Sequence, residues 1–328
     1  MSVLLSDIHS FELDPVEKEM IQHPLFTGII LFSRNFYDLK QLKALTTEIR
    51  KVVKKPFLIT VDQEGGLVQR FKQDFTPIPA AYLYHKLKNG KELAKQAGFI
   101  MASELMSAGV DLSFAPVLDI GTQSKAIQTR SFGDSPDEVL KYVKPFILGM
   151  KKAGMSVTGK HFPGHGSVVE DSHLSTPINT NHNIFEYDIL PFQSLIQQNL
   201  IDAIMPAHII FEKYNQLPAC GSPFWLKDIL RKALDFKGII FSDDLNMNGA
   251  NVLGDFVQRA EKTLISGCDL LLLCNNRKET INLLDNFKPS LHSNYEILMA
   301  NQHKQDKNLL NKLSWKKFTS DFKSQISI

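Results

Sequence analysis

The sequence predicts an α/β protein that folds as a single (β/α)8 barrel of the TIM type, with long loops after its strands and a helical C-terminal tail. Two observations predict this fold. Eight short apolar runs alternate along the chain with segments of helical period, which is the pattern of parallel strands joined by helices. The connections that lead from helices back to strands are short, whereas several that lead from strands to helices are long, as in barrel enzymes.

The eight apolar runs are the candidate strands. They are apolar along most of their length, as strands buried on both faces of a parallel sheet should be. An open, doubly wound sheet is the alternative architecture, but such sheets usually contain roughly five to seven strands. The predicted strands are Val3–Asp7, Gly28–Phe32, Phe57–Asp62, Val110–Ala115, Ser156–Lys160, Ile201–Pro206, Gly238–Ser242 and Cys268–Cys274.

The helices are predicted from apolar periodicity and from their start signals. Residues 38–54 and 91–108 each carry their apolar side chains on one helical face. Asp14 and Ser135 are each followed by Pro at the first helical position and by Glu at the third, which is a helix-capping pattern. Ser222 is likewise followed by Pro. These signals start helices after the first, fourth and sixth predicted strands.

The long strand-to-helix connections are predicted to build the functional site. They follow the third, fourth, fifth and sixth predicted strands, at residues 62–88, 116–134, 161–183 and 206–222. The active sites of barrel enzymes lie at the carboxyl ends of the strands, on these loops. Polar residues that are scattered through the sequence are therefore expected to converge at one mouth of the barrel.

The composition excludes several functional classes. The 328-residue chain has a net charge of +2 at pH 7, which gives no electrostatic footprint for nucleic acid. Residues 1–11 lack the apolar core of a signal peptide, and no run approaches the roughly 18 apolar residues of a membrane span. Three cysteines without C-x-x-C spacing indicate reduced thiols. We expect a cytoplasmic monomer with no nucleic-acid or membrane partner.

The whole chain, residues 1–328, is predicted to be one catalytic domain, because no linker, low-complexity tract or internal repeat interrupts it. From about residue 288 the sequence becomes polar and rich in lysine. This tail is expected to form one or two helices that pack on the outside of the barrel. Its partial apolar face comprises Leu309, Leu310, Leu313 and Phe318.

The fifth predicted strand leads into a segment rich in groups that carry protons and charge. Lys160 ends the strand, and residues 161–166 add two His, two Gly and one Pro. Glycine and proline shape a non-repetitive backbone, while lysine and histidine supply charge and titratable nitrogens. We interpret the segment as a loop of the functional site, the alternative being a polar surface loop.

Carboxylates and guanidinium groups occupy other strand ends. Asp62 ends the third predicted strand, Arg70 follows it, and Arg130 lies in the next long loop. Acceptors and forked donors of this kind suit a ligand with several hydroxyl groups, although Asp62 and Arg70 could also form a structural pair. Asp243 leaves the seventh predicted strand and is expected to point into the barrel mouth. Asp244 should then face the helical shell or a supporting donor, because neighbouring side chains alternate along a strand.

These residues by themselves leave four functions open. A metal hydrolase could use His161, His165, His208 and Asp243 as ligands, although Lys160 and two arginines would add positive charge to such a site. A glycoside hydrolase could use Asp243 as its nucleophile together with a separate proton donor. A Schiff-base aldolase using Lys160 and a catalytically inactive sugar-binding barrel are the other two. The chemistry favours the glycoside hydrolase over the metal enzyme.

Four motifs stand in order along the chain, beginning at Asp62, Lys160, Asp171 and Ser242, and they read DQEGG, KHFPGHG, DSH and SDDL. These motifs resemble glycoside hydrolase family 3, and within it the cytoplasmic bacterial β-N-acetylglucosaminidases of peptidoglycan recycling. Further likeness lies at Ile30–Asn35, Phe114–Asp119 and Cys274–Lys278. One departure is Leu67, which stands where the family usually has arginine; Arg70, which the family uses to bind sugar, is retained.

The resemblance implies a retaining exo-β-N-acetylglucosaminidase that needs no cofactor and no metal. Its substrates would be muropeptides, such as N-acetylglucosaminyl-anhydromuramoyl peptides, and its setting would be peptidoglycan recycling, with consequences for cell-wall biogenesis, cell division and cell shape. Asp243 would be the nucleophile, and His173, partnered by Asp171, the general acid and base. The sugar-binding residues would be Asp62, Arg70, Arg130, Lys160 and His161.

Two features of this assignment leave alternatives open. Histidine is an unusual proton donor for a glycosidase, and a carboxylate two residues before His173 gives it an orienting partner. A histidine also repels an incoming phosphate less than a carboxylate would, so phosphorolysis stands beside hydrolysis as an outcome. His165 and His208 are interpreted as residues that support or shape the loops.

Overall fold

The computed structural model describes residues 2–121, 123–180, 183–289, 293–300 and 312–326. Eight parallel strands form one sheet in the order β4-β3-β2-β1-β8-β7-β6-β5, so the predicted (β/α)8 barrel is confirmed. Every predicted strand is present, with its ends shifted by a few residues at most. The strands are β1 (Leu4–Asp7), β2 (Phe26–Leu31), β3 (Leu58–Val61), β4 (Leu112–Ser113), β5 (Thr158–Phe162), β6 (Ala203–Pro206), β7 (Ile239–Asp244) and β8 (Leu270–Leu273).

The sheet closes between β4 and β5 through the residues that follow β4. The amide of Thr158 donates to the carbonyl of Ala115 over 3.0 Å, and the amide of Leu118 donates to the carbonyl of Lys160 over 2.6 Å. Val117 and Lys160 form a parallel bridge. The closing contacts therefore fix the backbone of Lys160 at the end of the barrel where the long loops emerge.

Helices follow the strands in alternation, as predicted. The Asp14 side chain accepts from the Glu17 amide, and the Glu17 side chain accepts from the Asp14 amide, which completes the predicted capping box. The segment Phe224–Ala233, after β6, has π-helical hydrogen bonding. The α-helices are α1 (Pro15–Met20), α2 (Leu39–Val52), α3 (Gly90–Ser107), α4 (Pro136–Ala153), α5 (Leu190–Gln197), α6 (Phe256–Ser266), α7 (Arg277–Asn286) and α8 (Lys312–Ile326).

Alternation along the strands separates two apolar layers. Leu5, Ile30 and Leu58 belong to a buried cluster that includes Phe114 and Phe241, whereas their strand neighbours belong to the larger layer beneath the helices. The two phenylalanines meet edge to face with ring centroids 5.0 Å apart. The first cluster is the interior of the barrel, and some of its members form the floor of the cavity described below.

The tail contains a helix, as predicted, and this helix, α8, contacts α3. In α8, Phe318 lies 6.2 Å from the ring of Phe99 on α3, and Phe322 is fully buried. The inclusion of Leu313 in the apolar face was wrong, because that side chain is 80% exposed. Leu313 and Phe322 are nine positions apart in the helix. At about 100° per residue, this places them on opposite faces of α8. Leu309 and Leu310 lie outside the described residues.

No helix in the described parts of the chain has both the length and the apolar character that crossing a bilayer requires.

Two glycines allow α3 and α4 to pack in direct backbone contact. A Cβ at Gly149 would lie 2.0 Å from the Lys95 carbonyl, and a Cβ at Gly98 would lie 2.1 Å from the Phe146 carbonyl. Neither backbone atom can move away independently. We therefore expect Gly149→Ala to destabilise the protein by roughly 1–3 kcal/mol, despite the gain in helix propensity of about 1 kcal/mol.

Urea unfolding measures this change, with Leu148→Ala as the control on the outer face of the same helix, where Leu148 is 46% exposed. A Gly149→Ala protein as stable as the wild type would contradict the packing argument.

Candidate active site

A cavity of about 250 Å³ opens at the carboxyl ends of the strands. It is bounded by the loops after β3, β4 and β5, as the loop lengths predicted. The fourth predicted loop, residues 206–222, contributes no lining residue, and the loop after β7 takes its place. All the predicted site residues except Asp171 line the cavity, namely Asp62, Arg70, Arg130, Lys160, His161, His173 and Asp243.

A buried ion cluster forms one wall of the cavity. The Lys160 ammonium lies 2.7 Å from Asp62 Oδ1 and 2.7 Å from Glu64 Oε1. Arg130 donates to both oxygens of Glu64, from Nε and Nη2, over 2.8 Å each. Burial alone would lower the pKa of Lys160, but the two carboxylates outweigh it and raise that pKa. The cluster therefore stays charged, with its donors and acceptors held in fixed directions.

The place of Glu64 at the centre of the ion cluster was not predicted from the sequence. Burial raises the pKa of Glu64, but Arg130 and Lys160 lower it by more than burial raises it, so the carboxyl remains ionised. Glu64 lies in a short antiparallel hairpin, Gln63–Gly65 with Val68–Gln69. Gly66 makes the turn at φ +56°, where a Cβ would meet Ala80 at 2.7 Å. The position of Glu64 just beyond the end of β3 was the one signal in the sequence that it belongs to the site. Its partners, Arg130 and Lys160, come from other parts of the chain.

Arg70 emerges from this hairpin toward Asp62. Its Nη2 is 3.8 Å from Asp62 Oδ2, which is too long for a hydrogen bond. Its buried Nε has no hydrogen-bond partner among the described residues. The guanidinium carbon lies 5.8 Å from the ring centroid of Phe32. Arg70 thus retains donor capacity at the cavity, as expected of a residue that meets ligand hydroxyls.

Asp119 holds one histidine of β5 and one of the loop that follows it, and its role was also missed in the sequence. Its Oδ2 lies 2.7 Å from His161 Nδ1, and its Oδ1 accepts the amide of His165 over 2.6 Å. Burial raises the pKa of Asp119, but the neighbouring His161 and His165 lower it below its ordinary value. The carboxylate fixes the His161 ring so that its other face and nitrogen are available to the cavity.

Asp243 ends β7 on the cavity floor, and the amide of Asp244 donates to its Oδ1 over 2.8 Å. Burial raises the pKa of Asp243, but His161, His208 and then His173 lower it below its ordinary value. An ionised, partly buried carboxylate surrounded by imidazoles is a suitable nucleophile.

Asp244 only partly follows the predicted alternation. Its Oδ1 accepts the amides of Asn246 and Cys274 over 2.9 Å each, so it has the supporting donors expected. It nevertheless also lines the cavity, because the register between β7 and β8 shifts between Phe241 and Asp244. Burial raises its pKa to about 7. Two adjacent carboxyls of unlike acidity therefore share the end of β7.

His173 and Asp171 form a local pair on the loop after β5. The His173 Nδ1 lies 2.7 Å from Asp171 Oδ1, which also accepts the His173 amide over 2.9 Å. This leaves Nε2 of His173 for proton transfer. Burial raises the pKa of Asp171, but hydrogen bonds from His173 lower it below its ordinary value. The His173 side chain is 64% exposed at the cavity rim.

The geometry disfavours two of the alternative chemistries. Among the described residues, no group of three or more His, Cys, Asp and Glu side chains has the arrangement of a metal site. His165 Nε2 faces the Ser172 hydroxyl at 2.9 Å, and His208 Nε2 faces the Asp244 carbonyl at 3.1 Å. A Schiff-base lysine needs a lowered pKa, whereas the pKa of Lys160 is raised.

Comparisons with known proteins identify the family of this chain. Residues 5–305 match the family described as Glycosyl hydrolase family 3 N terminal domain. The Beta-hexosaminidase of Photobacterium profundum is 53% identical over 285 residues, covering 87% of this chain and 85% of that protein. The Beta-hexosaminidase of Actinobacillus pleuropneumoniae serotype 5b is 54% identical over 292 residues, covering 87% and 85%.

A crystal structure of NagZ from Neisseria gonorrhoeae in complex with N-trifluoroacetyl-D-glucosamine superposes with a TM-score of 0.91 at 34% identity, covering 99% of this chain and 98% of that one. The family match spans nearly the whole barrel and the relatives share half of its residues. The chain therefore belongs to glycoside hydrolase family 3.

Proposed function

We propose that this protein is a retaining exo-β-N-acetylglucosaminidase that releases terminal N-acetylglucosamine through a covalent glycosyl-enzyme. The observation that carries the proposal is the position of the Asp243 carboxylate on the floor of a cavity whose rim holds the His173–Asp171 pair. Support also comes from the Beta-hexosaminidases that share half of its residues and from the NagZ complex with an N-acylated glucosamine.

The proposed reaction has two steps. An oxygen of Asp243 attacks the anomeric carbon while the bond to the leaving oxygen breaks, and His173 Nε2 gives that oxygen its proton. A water then attacks the anomeric carbon, the bond to Asp243 breaks, and His173 takes the proton of the water. Asp171 keeps the Nδ1 side of the ring engaged throughout, which directs Nε2 to the reacting atoms.

The sugar ring is proposed to bind against the ion cluster. Asp62 would accept from ring hydroxyls, and Lys160 and Arg70 would donate to them. Arg130 is also proposed to bind the sugar. Because Glu64 holds both Lys160 and Arg130, these two side chains are already oriented before sugar binds, so little side-chain entropy is lost on binding. Among the sugar-binding residues we also include His161, whose ring is fixed by Asp119.

The biological substrates are proposed to be muropeptides, including N-acetylglucosaminyl-anhydromuramoyl peptides, and the setting to be peptidoglycan recycling in the cytoplasm. The basis is the likeness of the sequence motifs to that branch of the family. We further propose that residues 1–328 act as one catalytic domain and as a monomer. Cells that lack the gene should accumulate uncleaved disaccharide peptides, which can be measured in aqueous extracts. Extracts without these peptides would refute a role in peptidoglycan recycling.

The first test of the reaction is its stereochemistry. Double displacement at the anomeric carbon retains configuration, so the first product seen by proton NMR should be β-N-acetylglucosamine, with water as the acceptor and EDTA without effect. An α-anomer at early times would contradict a glycosyl-enzyme. A product N-acetylglucosamine 1-phosphate formed in phosphate buffer would indicate phosphorolysis instead.

Replacement of the nucleophile gives the second test. Asp243→Asn keeps the shape of the side chain but removes the attacking charge, so kcat should fall by several orders of magnitude while the affinity for N-acetylglucosamine changes little. Asp244→Asn is the matched control, because Asp244 supports the strand end rather than attacking. If Asp244→Asn were far more damaging than Asp243→Asn, the roles of the two carboxyls would be exchanged.

The third test concerns His173. His173→Ala should slow hydrolysis of disaccharides by a factor of about 10²–10⁴, the usual contribution of general acid–base catalysis. Aryl glycosides with acidic leaving groups need no proton donor, so their cleavage should suffer much less, and azide should speed turnover and yield a β-glycosyl azide.

Glu170→Ala, an exposed acid on the same loop, is the control and should behave like the wild type. Equal losses on both substrate types in His173→Ala, without azide rescue, would remove His173 from the acid–base role.

The fourth test concerns the ion cluster. Lys160→Ala and Arg130→Ala should each weaken binding of N-acetylglucosamine by roughly 1–3 kcal/mol, the scale for losing a hydrogen bond to a charged group. Lys125→Ala, an exposed lysine on the same loop as Arg130, is the control. Titration calorimetry that finds unchanged affinity in both cluster variants would take these residues out of the sugar site.

A further inference from the structure

In the part of the chain that the structure describes, the side chains of the acid–base pair proposed above form hydrogen bonds only within their own loop. The His173 side chain is 64% exposed, and its partner Asp171 lies only two residues away on the same loop. A hydrogen bond between two residues of one loop sets the orientation of the ring relative to the loop. It does not set the position of the loop relative to the cavity, where a displacement of about 1 Å can cost a hundredfold in rate.

The residue between them is held from two sides. Ser172 is only 2% exposed. Its hydroxyl lies 2.9 Å from Nε2 of His165, and its carbonyl accepts the amide of Gly249 over 3.0 Å. Gly249 belongs to the loop that follows β7, the strand that ends in Asp243. The backbone that carries His173 is therefore tied to His165, near the start of its own loop, and to the loop after the nucleophile strand.

His165 transmits this tie to the barrel. It is 1% exposed, and its amide donates to Asp119 Oδ1 over 2.6 Å, while its Nδ1 lies 3.3 Å from the hydroxyl of Ser124. The other oxygen of Asp119 holds the ring of His161. One buried carboxylate thus orients a sugar-binding side chain and, through His165 and Ser172, the loop of the proton donor.

We propose that Ser172 and His165 are positioning residues, whose mutual hydrogen bond holds His173 at the reacting atoms. The inference rests on the acid–base role proposed for His173. Ser172 itself does not have the surroundings of a nucleophile. It is buried, and the carboxylate near His165 binds the backbone amide rather than the imidazole, so no carboxylate orients that ring as in a nucleophilic triad.

Ser172→Ala deletes the hydroxyl and little else. We expect disaccharide hydrolysis to fall about tenfold, a part of the 10²–10⁴-fold effect of the acid–base residue, with azide partly rescuing turnover on aryl glycosides. The inhibition constant of N-acetylglucosamine should stay within about twofold of the wild-type value, because the ion cluster against which the sugar is proposed to bind, here called the sugar wall, is unchanged. Loss of inhibitor binding would contradict a positioning role. Ser175→Ala, an exposed serine three residues on, is the matched control.

A double-mutant cycle separates positioning from an independent effect. If Ser172 acts through His173, the pair Ser172→Ala/His173→Ala should be no slower on disaccharide than His173→Ala alone. A double variant whose loss of rate on disaccharide equals the product of the two single losses would overturn the inference. So would a Ser172→Ala enzyme that is as active as Ser175→Ala. Failure of the acid–base assignment has a different signature, since His173→Ala would then show no dependence on the leaving group.

His165→Asn removes the bond from its other side and serves if Ser172→Ala does not fold. Asparagine can still place a polar group near Ser124 but is too short to reach Ser172. We expect His165→Asn to show the same dependence on the leaving group as Ser172→Ala. When His165→Asn is added to His173→Ala, the double variant should be no slower on disaccharide than His173→Ala alone. Circular dichroism and the inhibition constant verify that the barrel and its sugar wall are intact in each variant.

Discussion

The site depends on a buried set of charges in which each ion is balanced by its neighbours. Lys160 is 3% exposed and would be a costly isolated cation. It persists because Asp62 and Glu64 contact it directly, and Glu64 in turn is held in a bidentate pair by Arg130. Removal of any member leaves an uncompensated charge in a low-dielectric interior. The loops after β3 and β4 are thereby held against β5, and the ion cluster keeps one arrangement.

The two halves of the chemistry are built differently. Lys160, Asp62 and Asp243 are at strand ends or directly follow them, where the closed sheet fixes the backbone. His173 instead lies eleven residues beyond the end of β5, on a loop that exposes most of its side chain. A fixed nucleophile and a loop-borne proton donor suit a reaction in which the leaving group must depart and a water must enter at the same place. The donor can then serve both steps from one position.

Much of the fold was accessible from the sequence because barrel strands are buried on both faces and leave continuous apolar runs. Topology then brought distant residues such as Asp62 and Asp243 to one mouth. Partners were not accessible in this way. Glu64 and Asp119 act through contacts across 66 and 42 residues of sequence, and no local pattern encodes such pairings. Alternation held only in part at Asp244, where the register of β7 shifts relative to the neighbouring strand.

Barrel closure also has a consequence for synthesis on the ribosome. β1 pairs with β8, and the Ser6 hydroxyl donates to the Leu273 carbonyl across 267 residues of sequence. Until β8 has emerged from the exit tunnel, one edge of β1 has no native partner. At roughly 5–20 residues per second, that edge stays open for tens of seconds. An open apolar edge is a template for pairing with other chains, so aggregation in the cell should depend on how fast the last third of the message is translated.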